Sequence, residues 1–406
     1  MMPHADDPRI LIKADPAKHE RGRYKVYLEG RDNDGDELFN EDGAGGVAFN
    51  RNFPFGYAFF EPGAGPHQVS EIETRAVADF AYAHGNIAAV LCFSLEDNLW
   101  QPWKPAAEGE KAGPKNLIAR ADAAYLDRLA EQYRTLYGAK DAPPSAIAQG
   151  SFARWAYFHF GRWSLCTRGW FVPAPAPAAG KAASAEKSDR APERAKEPAE
   201  NGKPADKPDE KTVDKAADER GRSEVATLAW LTQRGVDAFV PWKVVDHPDF
   251  PGKKVEVGGF RPGALVNPPA SELDALARTH LEFVGRLASS LPRIEIAEVK
   301  EDDLGRGLFR VTAKVLNAGD LPTMAAMGKQ SEQPQPLQLA IEMPEGSRLF
   351  GQPTRVKIEP LAGGETAKHA WLVQIPKAKP MVVTVKVWSP SVGSDSKTIT
   401  LGKRKR

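Results

Sequence analysis

Hydrophobic and polar positions follow two different periods along this chain, and the period changes near residue 292. Before that point, segments with apolar residues three or four positions apart alternate with short apolar runs, which is typical of helices and buried strands in an α/β sheet. After it, apolar residues recur at every second position between Gly and Pro turns, as in an antiparallel β-sandwich. We therefore predict an α/β domain followed by a small β-sandwich domain.

Helix signals mark several elements of the first region. Ser70 and Glu73 form a capping box before a helical apolar pattern, and Ser271 precedes a long amphipathic pattern that Pro292 ends. The long helix buries its apolar face only if it packs on the sheet of the first region. The predicted helices are 70–83, 121–137, 152–160, 225–234 and 272–290, and the predicted strands are 87–93, 163–172, 238–245 and 253–260, then 294–299, 308–317, 337–343, 370–375 and 381–388 in the sandwich.

Residues 173–222 differ in composition from the rest of the chain. They are rich in Ala, Pro, Lys, Glu and Asp and contain almost no large apolar side chain. Such a segment cannot bury enough surface to offset the entropy cost of ordering it, so we expect disorder. We interpret it as an insertion within one domain. The predicted domains are therefore 1–292, interrupted at 173–222, and 293–406.

The composition excludes some classes of partner. The chain has 406 residues, of which 41% are hydrophobic and 27% charged, with a formal net charge of +1. This near-neutral charge gives no reason to expect nucleic acid as a partner, and no stretch approaches the roughly 20 apolar residues of a membrane span. Cys92 and Cys166 both lie in apolar runs, which favours buried free thiols, with a disulfide between adjacent strands as the alternative.

An apolar run, Ile87 to Phe93, breaks abruptly into Ser94, Leu95, Glu96 and Asp97. The run has the character of a buried strand, and α/β proteins bind their ligands at the carboxyl ends of such strands. The residue at the position of Ser94 therefore bears directly on what the domain can bind.

Four motifs resemble, in the correct order, the zinc carboxypeptidases of the M14 (carboxypeptidase A-like) family. They are GGVAFNRNFPFGY, the segment GPHQVSEIETRAVADFAYAHGNIAAVLCFS, then GSFARWAYFHFGRWSLCTRGW and finally VEVGGF. Outside the insertion, the resemblance covers about residues 8–291. It implies a mixed sheet flanked by helices, which is incomplete here at the amino end.

The resemblance also implies a chemistry. In that family a His-x-x-Glu pair and a second His hold one zinc ion, a Glu activates the bound water, and an Asn-Arg pair binds the terminal carboxylate of the substrate. Two imidazoles and a carboxylate leave an open zinc position, where water becomes acidic enough to attack an amide. A nearby carboxylate then moves the proton.

This sequence departs from the family at the positions that bind zinc and activate water. Ser94 stands at the position of the second His, and a hydroxyl is a poor zinc ligand beside imidazole. Arg168 stands at the position of the catalytic Glu, and a guanidinium cannot act as a general base. No His-x-x-Glu occurs in the chain, and Arg154 replaces an Asp of the family. We therefore expect a degenerate site without zinc and without catalysis.

The Asn50-Arg51 pair is retained. By the resemblance, these residues would bind the terminal carboxylate of a peptide, Arg51 through a bidentate fork. The alternative is that Arg51 pairs with a neighbouring carboxylate and holds its own loop. Arg168 would add positive charge to the same cavity, so the expected partners are the C-termini of peptides or proteins.

The acidic segment RDNDGDELFNEDGAGG resembles a calcium loop. Asp32, Asp34 and Asp36 stand at alternate positions and Asn40 follows, and hard oxygen ligands at this spacing suit Ca²⁺. The match to an EF-hand loop is partial, because Glu37 stands where Gly is needed. An exposed acidic turn is the alternative, and a melting temperature that does not change at millimolar Ca²⁺ would exclude calcium.

Three functional hypotheses follow. The chain is a non-catalytic family member that binds peptides, or an active zinc carboxypeptidase in which other side chains such as Glu96 and Asp97 supply ligands, or a fragment of a longer chain that carries the missing motifs upstream. Family members are usually secreted or periplasmic, which favours that location. The polar start without a signal-peptide core favours the cytoplasm instead.

Overall fold

The computed structural model describes residues 1–16, 19–27, 46–109, 117–139, 142–146, 149–172, 224–376 and 380–402. The chain divides into two compact units. The first comprises Met1–Asp42, Asp141–Pro143 and Trp170–Pro269, and the second comprises Gly43–Lys140, Pro144–Gly169 and Ala270–Arg406. The insertion predicted at 173–222 lies outside the described residues, and the domain boundary between 292 and 293 stays a prediction.

Helices and strands alternate in the first part of the chain, and strands dominate the last part. None of the described helices is long and apolar enough to cross a membrane. In chain order the elements are β1 (Met2–Pro3), β2 (Leu11–Ile12), α1 (Ile72–Ala83), β3 (Ala89–Phe93), α2 (Arg120–Tyr137), α3 (Phe152–Phe158), β4 (Trp163–Thr167), α4 (224–233), β5 (Phe239–Val245), β6 (Val255–Phe260), α5 (Leu273–Ser290), β7 (Ile294–Gly305), β8 (Leu308–Asn317), α6 (Ala326–Ser331), β9 (Leu337–Glu342), β10 (Arg348–Phe350), β11 (Arg355–Ile358), β12 (Thr366–Gln374), β13 (Met381–Ser389) and β14 (Gly393–Leu401).

The first unit contains two antiparallel pairs, β1 with β2 and β5 with β6. Phe239 on β5 is buried and lies edge-to-face against Phe260 on β6, with 5.5 Å between the ring centroids. Trp242 donates from its indole nitrogen to the Arg9 carbonyl at 2.8 Å. These contacts join the hairpin to the amino-terminal segment of the same unit.

The second unit begins with two parallel strands between helices. β3 pairs in parallel with β4, so that Ala89 faces Trp163 and Phe93 faces Thr167. Successive side chains of a strand point to opposite faces, and Leu91 packs in the cluster that contains helices α2 and α5. Val90 packs instead against α1 and α3. This arrangement confirms the α/β class, whereas a complete carboxypeptidase-like sheet stays a prediction.

Helix α5 packs on the parallel strands, as predicted from its amphipathic pattern. Phe283 and Leu287 are buried in the same cluster as Leu165 of β4 and Tyr133 of α2. The predicted start of this helix was wrong in detail. A short 3₁₀ turn, Ala270–Glu272, precedes it, and no side chain caps its first turn.

The capping box predicted at Ser70 is also wrong. Helix α1 has Glu71 at its N-cap position, without a side-chain cap hydrogen bond. The Ser70 hydroxyl instead donates to Glu71 Oε1 at 2.7 Å and accepts from Asn52 Nδ2 at 3.0 Å. The serine therefore belongs to the hydrogen-bond network of the loop that contains Asn52.

The carboxy-terminal region forms two four-stranded antiparallel sheets. One has the order β10-β12-β8-β7 and the other the order β11-β9-β13-β14, and their inward side chains share one core that surrounds Trp371. All five strands predicted here are confirmed. The strands β10, β11 and β14 and the helix α6 were not predicted, because β10, β11 and α6 are too short to show a period and β14 is mostly polar.

Both cysteines are free thiols, as predicted. Cys92 on β3 and Cys166 on β4 are neighbours in the parallel register. Burial raises the pKa of the Cys92 thiol to about 12, and it raises the pKa of the fully buried Cys166 well above its ordinary value. Both thiols are therefore protonated at neutral pH, which is the state of inert structural cysteines.

Candidate functional site

Ser94 lies directly after β3 and closes the turn that follows the strand. Its backbone N–H donates to the Thr167 carbonyl at 2.9 Å, and its hydroxyl donates to the Glu96 carbonyl at 2.8 Å. The hydroxyl proton is thus used within the loop. At the position that the resemblance assigns to the second zinc-binding His, the side chain therefore contributes only a local hydrogen bond.

Glu96 is a buried carboxylate held by three donors. It is 1% exposed and forms an ion pair with Arg154, whose Nε lies 2.6 Å from Oε1. The Ser151 hydroxyl donates to Oε2 at 2.6 Å, and the Trp103 indole donates to Oε1 at 3.2 Å. Arg154, which by the resemblance stands where the family has an Asp, thus forms an internal ion pair with the buried Glu96.

Asp97 joins the ends of β3 and β4. Its Oδ1 accepts from the backbone N–H groups of Leu99 at 3.1 Å and Trp100 at 2.9 Å. Its Oδ2 accepts from the Thr167 hydroxyl at 2.9 Å and from the backbone N–H of Arg168 at 3.0 Å. Burial raises the pKa of this carboxyl, although these hydrogen bonds act in the opposite direction. Both of its oxygens are therefore occupied by structural hydrogen bonds.

Arg168 follows β4, and its guanidinium is only partly satisfied. Nη2 donates to the Pro144 carbonyl at 2.6 Å, whereas Nε is buried and has no hydrogen-bond partner. Burial lowers the pKa of this guanidinium, partly offset by the charge of Asp97. An unpaired donor on a positive charge makes this strand end suitable for an anionic group.

The Asn50-Arg51 pair lies in a 3₁₀ turn, Phe49–Arg51. Asn50 Oδ1 accepts from the backbone N–H of Phe152 at 2.9 Å, which leaves the amide NH₂ of Asn50 without a partner among the described residues. Arg51 Nη1 donates to the Pro62 carbonyl at 2.6 Å. In the described part of the chain no carboxylate forms an ion pair with Arg51. Donors of both side chains are thus open to a ligand.

Asn52 holds this loop together, a role that the sequence analysis did not assign. It is fully buried, and its Nδ2 donates to the Ala64 carbonyl at 2.7 Å and the His67 carbonyl at 3.1 Å. Its Oδ1 accepts from the Thr74 hydroxyl at 2.7 Å. A single buried amide therefore fixes the Asn50-Arg51 turn, and the adjacency of Asn52 to that pair was the only signal in the sequence.

Hydrogen bonds connect the turn to the strand ends. Asn50 binds the first turn of α3 through Phe152, and Ser151, the N-cap of that helix, donates to Glu96 in the loop after β3. Asp97 in the same loop then reaches Arg168. The structure therefore links the predicted residues Asn50, Ser94 and Arg168 through adjoining loops of one unit.

The residues gathered here do not fit a zinc ion. Among the described residues, no group of three His, Cys, Asp or Glu side chains is placed to hold a metal. His280 lies near the strand ends, but its Nε2 is 2.9 Å from the Gly169 carbonyl and must carry the proton there, because a carbonyl only accepts. The predicted calcium ligands Asp32, Asp34, Asp36 and Asn40 lie outside the described residues.

Comparison with family models agrees with the resemblance for part of the chain. Residues 18–172 match the family model of the zinc carboxypeptidases, peptidase family M14. The match confirms the resemblance over residues 18–172, which contain the first three motifs, whereas VEVGGF lies outside the match and stays a prediction. Residues 293–400 match a second family, a domain of unknown function named DUF8731. No curated protein matches the chain.

Solved structures match little more than a quarter of the chain. The GAE domain of GGA2p from Saccharomyces cerevisiae is 16% identical with a TM-score of 0.20, and the match covers 27% of this chain and 89% of that domain. A FixG-related protein from Vibrio parahaemolyticus is 10% identical with a TM-score of 0.20, over 28% of this chain and 97% of that chain. Likenesses this low carry no argument about fold or function.

Proposed function

We propose that this chain is a non-catalytic member of the zinc carboxypeptidase family that binds the terminal carboxylate of peptides. The proposal rests on which side chains stand in the candidate site and on the hydrogen bonds that they form. By the resemblance, the hydroxyl of Ser94 and the guanidinium of Arg168 stand where the family has a zinc ligand and the catalytic Glu. The two nearby carboxylates, Glu96 and Asp97, are occupied by buried hydrogen bonds.

The unused donors support binding of a carboxylate. Arg51 keeps guanidinium N–H groups, and Asn50 keeps its amide NH₂, without partners among the described residues. A guanidinium binds a carboxylate through two parallel hydrogen bonds, which is the strongest geometry for such a pair. The guanidinium of Arg168, which among the described residues donates only to the Pro144 carbonyl, adds positive charge at the neighbouring strand end. The expected partners are peptide or protein C-termini, in a secreted or periplasmic setting as in the family.

Zinc content tests the loss of catalysis. After dialysis against excess zinc and removal of loosely bound metal, we expect well below one zinc ion per chain. We also expect no chelator-sensitive release of C-terminal Phe or Arg from peptides. One tightly held zinc per chain with chelator-sensitive hydrolysis would favour the alternative, an active zinc carboxypeptidase with another set of ligands.

Replacing Arg51 by alanine is expected to weaken the binding of peptides with a free C-terminus. Loss of a charged hydrogen-bonding partner costs about 1.5–3 kcal/mol, on the order of a 10- to 100-fold loss of affinity. Isothermal titration of wild-type and variant protein with peptides that end in Phe or Arg measures the change.

Two controls keep this experiment specific. The same peptides with an amidated C-terminus lack the carboxylate, so they should bind wild-type protein as weakly as the free peptides bind the Arg51→Ala variant. Arg75→Ala removes another guanidinium that donates to a backbone carbonyl, and it should leave the affinity unchanged. Equal binding of free and amidated peptides would contradict carboxylate recognition.

A further inference from the structure

Helix α5 carries apolar side chains on two faces. One face packs into the core through Phe283 and Leu287. The other face is exposed, and its apolar side chains recur three or four positions apart, so that they form one row along the helix. This α5 stripe consists of Leu273, Ala277, Leu281, Val284 and Ala288.

Phe93, at the end of β3, extends the exposed apolar surface beyond the helix. Its side chain is 62% exposed, and its ring lies edge-to-face against His280 with 5.1 Å between the ring centroids. Leu281, the next residue of α5, is 72% exposed. Exposed apolar side chains that stand alone are ordinary, whereas a contiguous row of them is typical of a protein–protein contact surface.

The longest segment outside the described residues has little with which to cover the α5 stripe. Residues 173–223 contain one large apolar side chain, Val213. Leu and Val side chains lose their contact with water only against other apolar groups. A second polypeptide chain is therefore the better occupant of this surface.

The charged residues beside the stripe favour a second copy of the same helix. Asp274, Arg278, Glu282 and Arg286 are all exposed and follow one another at intervals of four residues, so their signs alternate along the helix. Glu282 and Arg286 pair within the helix, but their side chains are still 56% and 45% exposed. Both can therefore face a further charge.

The order of these charges selects one orientation and one register. In an antiparallel pair of α5 helices centred near residue 280, Asp274 of one copy lies opposite Arg286 of the other. In the same register Arg278 lies opposite Glu282. A parallel pair, or an antiparallel pair shifted by one turn, sets like charges against each other instead, which is unfavourable.

The same register also brings large side chains opposite small ones. Leu273 of one copy lies opposite Ala288 of the other, and Val284 lies opposite Ala277. The two copies of Leu281 meet close to the two-fold axis. Large side chains facing small ones allow two helices to interdigitate, and each contact occurs twice because a two-fold interface uses the same patch on both copies.

We infer that the α5 stripe is a self-association surface, through which two copies of this chain pair with their α5 helices antiparallel. The stripe contains none of the residues assigned to carboxylate binding. One helix and its immediate neighbours make a small interface, so we expect a dissociation constant on the order of 10 μM. At the sub-micromolar concentrations of an unfolding experiment followed by fluorescence, the chain is then monomeric.

Sedimentation velocity of the full chain between about 1 and about 100 μM tests this surface across the expected dissociation constant. The wild-type sedimentation coefficient should rise with concentration from that of a monomer towards that of a dimer. Leu281→Asp places a charge at the two-fold axis and should sediment as a monomer throughout. Leu304→Asp changes another exposed leucine, on β7 and 45% exposed, and should behave as wild type.

Exchange of two charges tests the antiparallel register itself. Arg278→Glu and Glu282→Arg each set like charges opposite one another, and each should weaken self-association by about 10-fold or more. The two substitutions combined restore opposite charges in the antiparallel register, so the double variant should associate as wild type.

Three results would overturn the inference. A wild-type chain that sediments as a monomer over the whole range shows that no second copy binds, whatever else covers the stripe. Association that persists in Leu281→Asp places the contact elsewhere on the molecule. Failure of the double variant to recover association excludes the antiparallel pairing of Arg278 with Glu282.

Discussion

Replacing Glu96 by alanine is expected to destabilise the protein by about 3–5 kcal/mol, because it leaves the largely buried guanidinium of Arg154 without its partner. Arg154 is 11% exposed at its side chain and relies on Glu96 for its charge partner. The substitution also removes the acceptor of the Ser151 hydroxyl and the Trp103 indole. Denaturant unfolding of the full chain, followed by tryptophan fluorescence, measures the change in the free energy of unfolding.

The matched control is Glu359→Ala. Glu359 also forms an ion pair, with Lys329 at 2.6 Å, but its side chain is 82% exposed. Exposed pairs contribute about 0–1 kcal/mol, so this variant should unfold close to wild type. If Glu96 were a metal ligand of an active enzyme, its removal would abolish metal binding and leave the stability of the metal-free protein nearly unchanged. That outcome would contradict the structural role assigned to Glu96.

Replacing Phe283 by alanine is expected to cost about 3–5 kcal/mol, the range for a large side chain removed from a well-packed core. Phe283 on α5 is fully buried, and its ring lies edge-to-face against Tyr133 of α2, with centroids 5.0 Å apart. The same denaturant experiment applies. A large loss would show that α5 is an integral part of the core that surrounds β3 and β4.

Leu281 provides the control within the same helix. It lies two residues earlier, but its side chain is 72% exposed. Leu281→Ala should therefore change the free energy of unfolding by no more than about 0.5 kcal/mol. Equal effects of the two substitutions would mean that α5 does not pack as described.

The main elements of the fold could be predicted because their patterns are strong and local. Helices α2 and α5 carry long amphipathic repeats, and the alternating strands β8, β9 and β13 match the period of a half-buried strand. The helix starts were less accurate. Ser70 has the right chemistry for a cap, but Asn52, far away in sequence, competes for its hydroxyl.

The strand β14 shows the limit of periodicity more clearly. Its sequence GSDSKTITL is polar along most of its length, and it lies at the edge of its sheet, where few side chains need to be apolar. Pairing with β13 determines its conformation. That pairing is a long-range property, which the local pattern does not contain.

The candidate site, like the fold, could be predicted only in part from the sequence. Motif order alone was enough to recognise the carboxypeptidase family, and the family match to residues 18–172 confirms it. The replacements at Ser94 and Arg168 rest on the resemblance and stay predictions. The ion pair of Glu96 and the hydrogen bonds of Asp97 could not be predicted, because their partners Arg154 and Thr167 are distant in sequence.

The amino-acid sequence by itself determined the family resemblance of residues 18–172 and the α/β and β-sandwich character of the two parts. These properties depend on residue identity and on short-range periodicity, which a single chain carries in its order. Only the tertiary structure decided that Glu96 and Asp97 are engaged in internal hydrogen bonds and that Asn52 holds the Asn50-Arg51 turn. Each of these depends on which distant residues share a desolvated environment, because burial makes a missing or a satisfied partner energetically decisive.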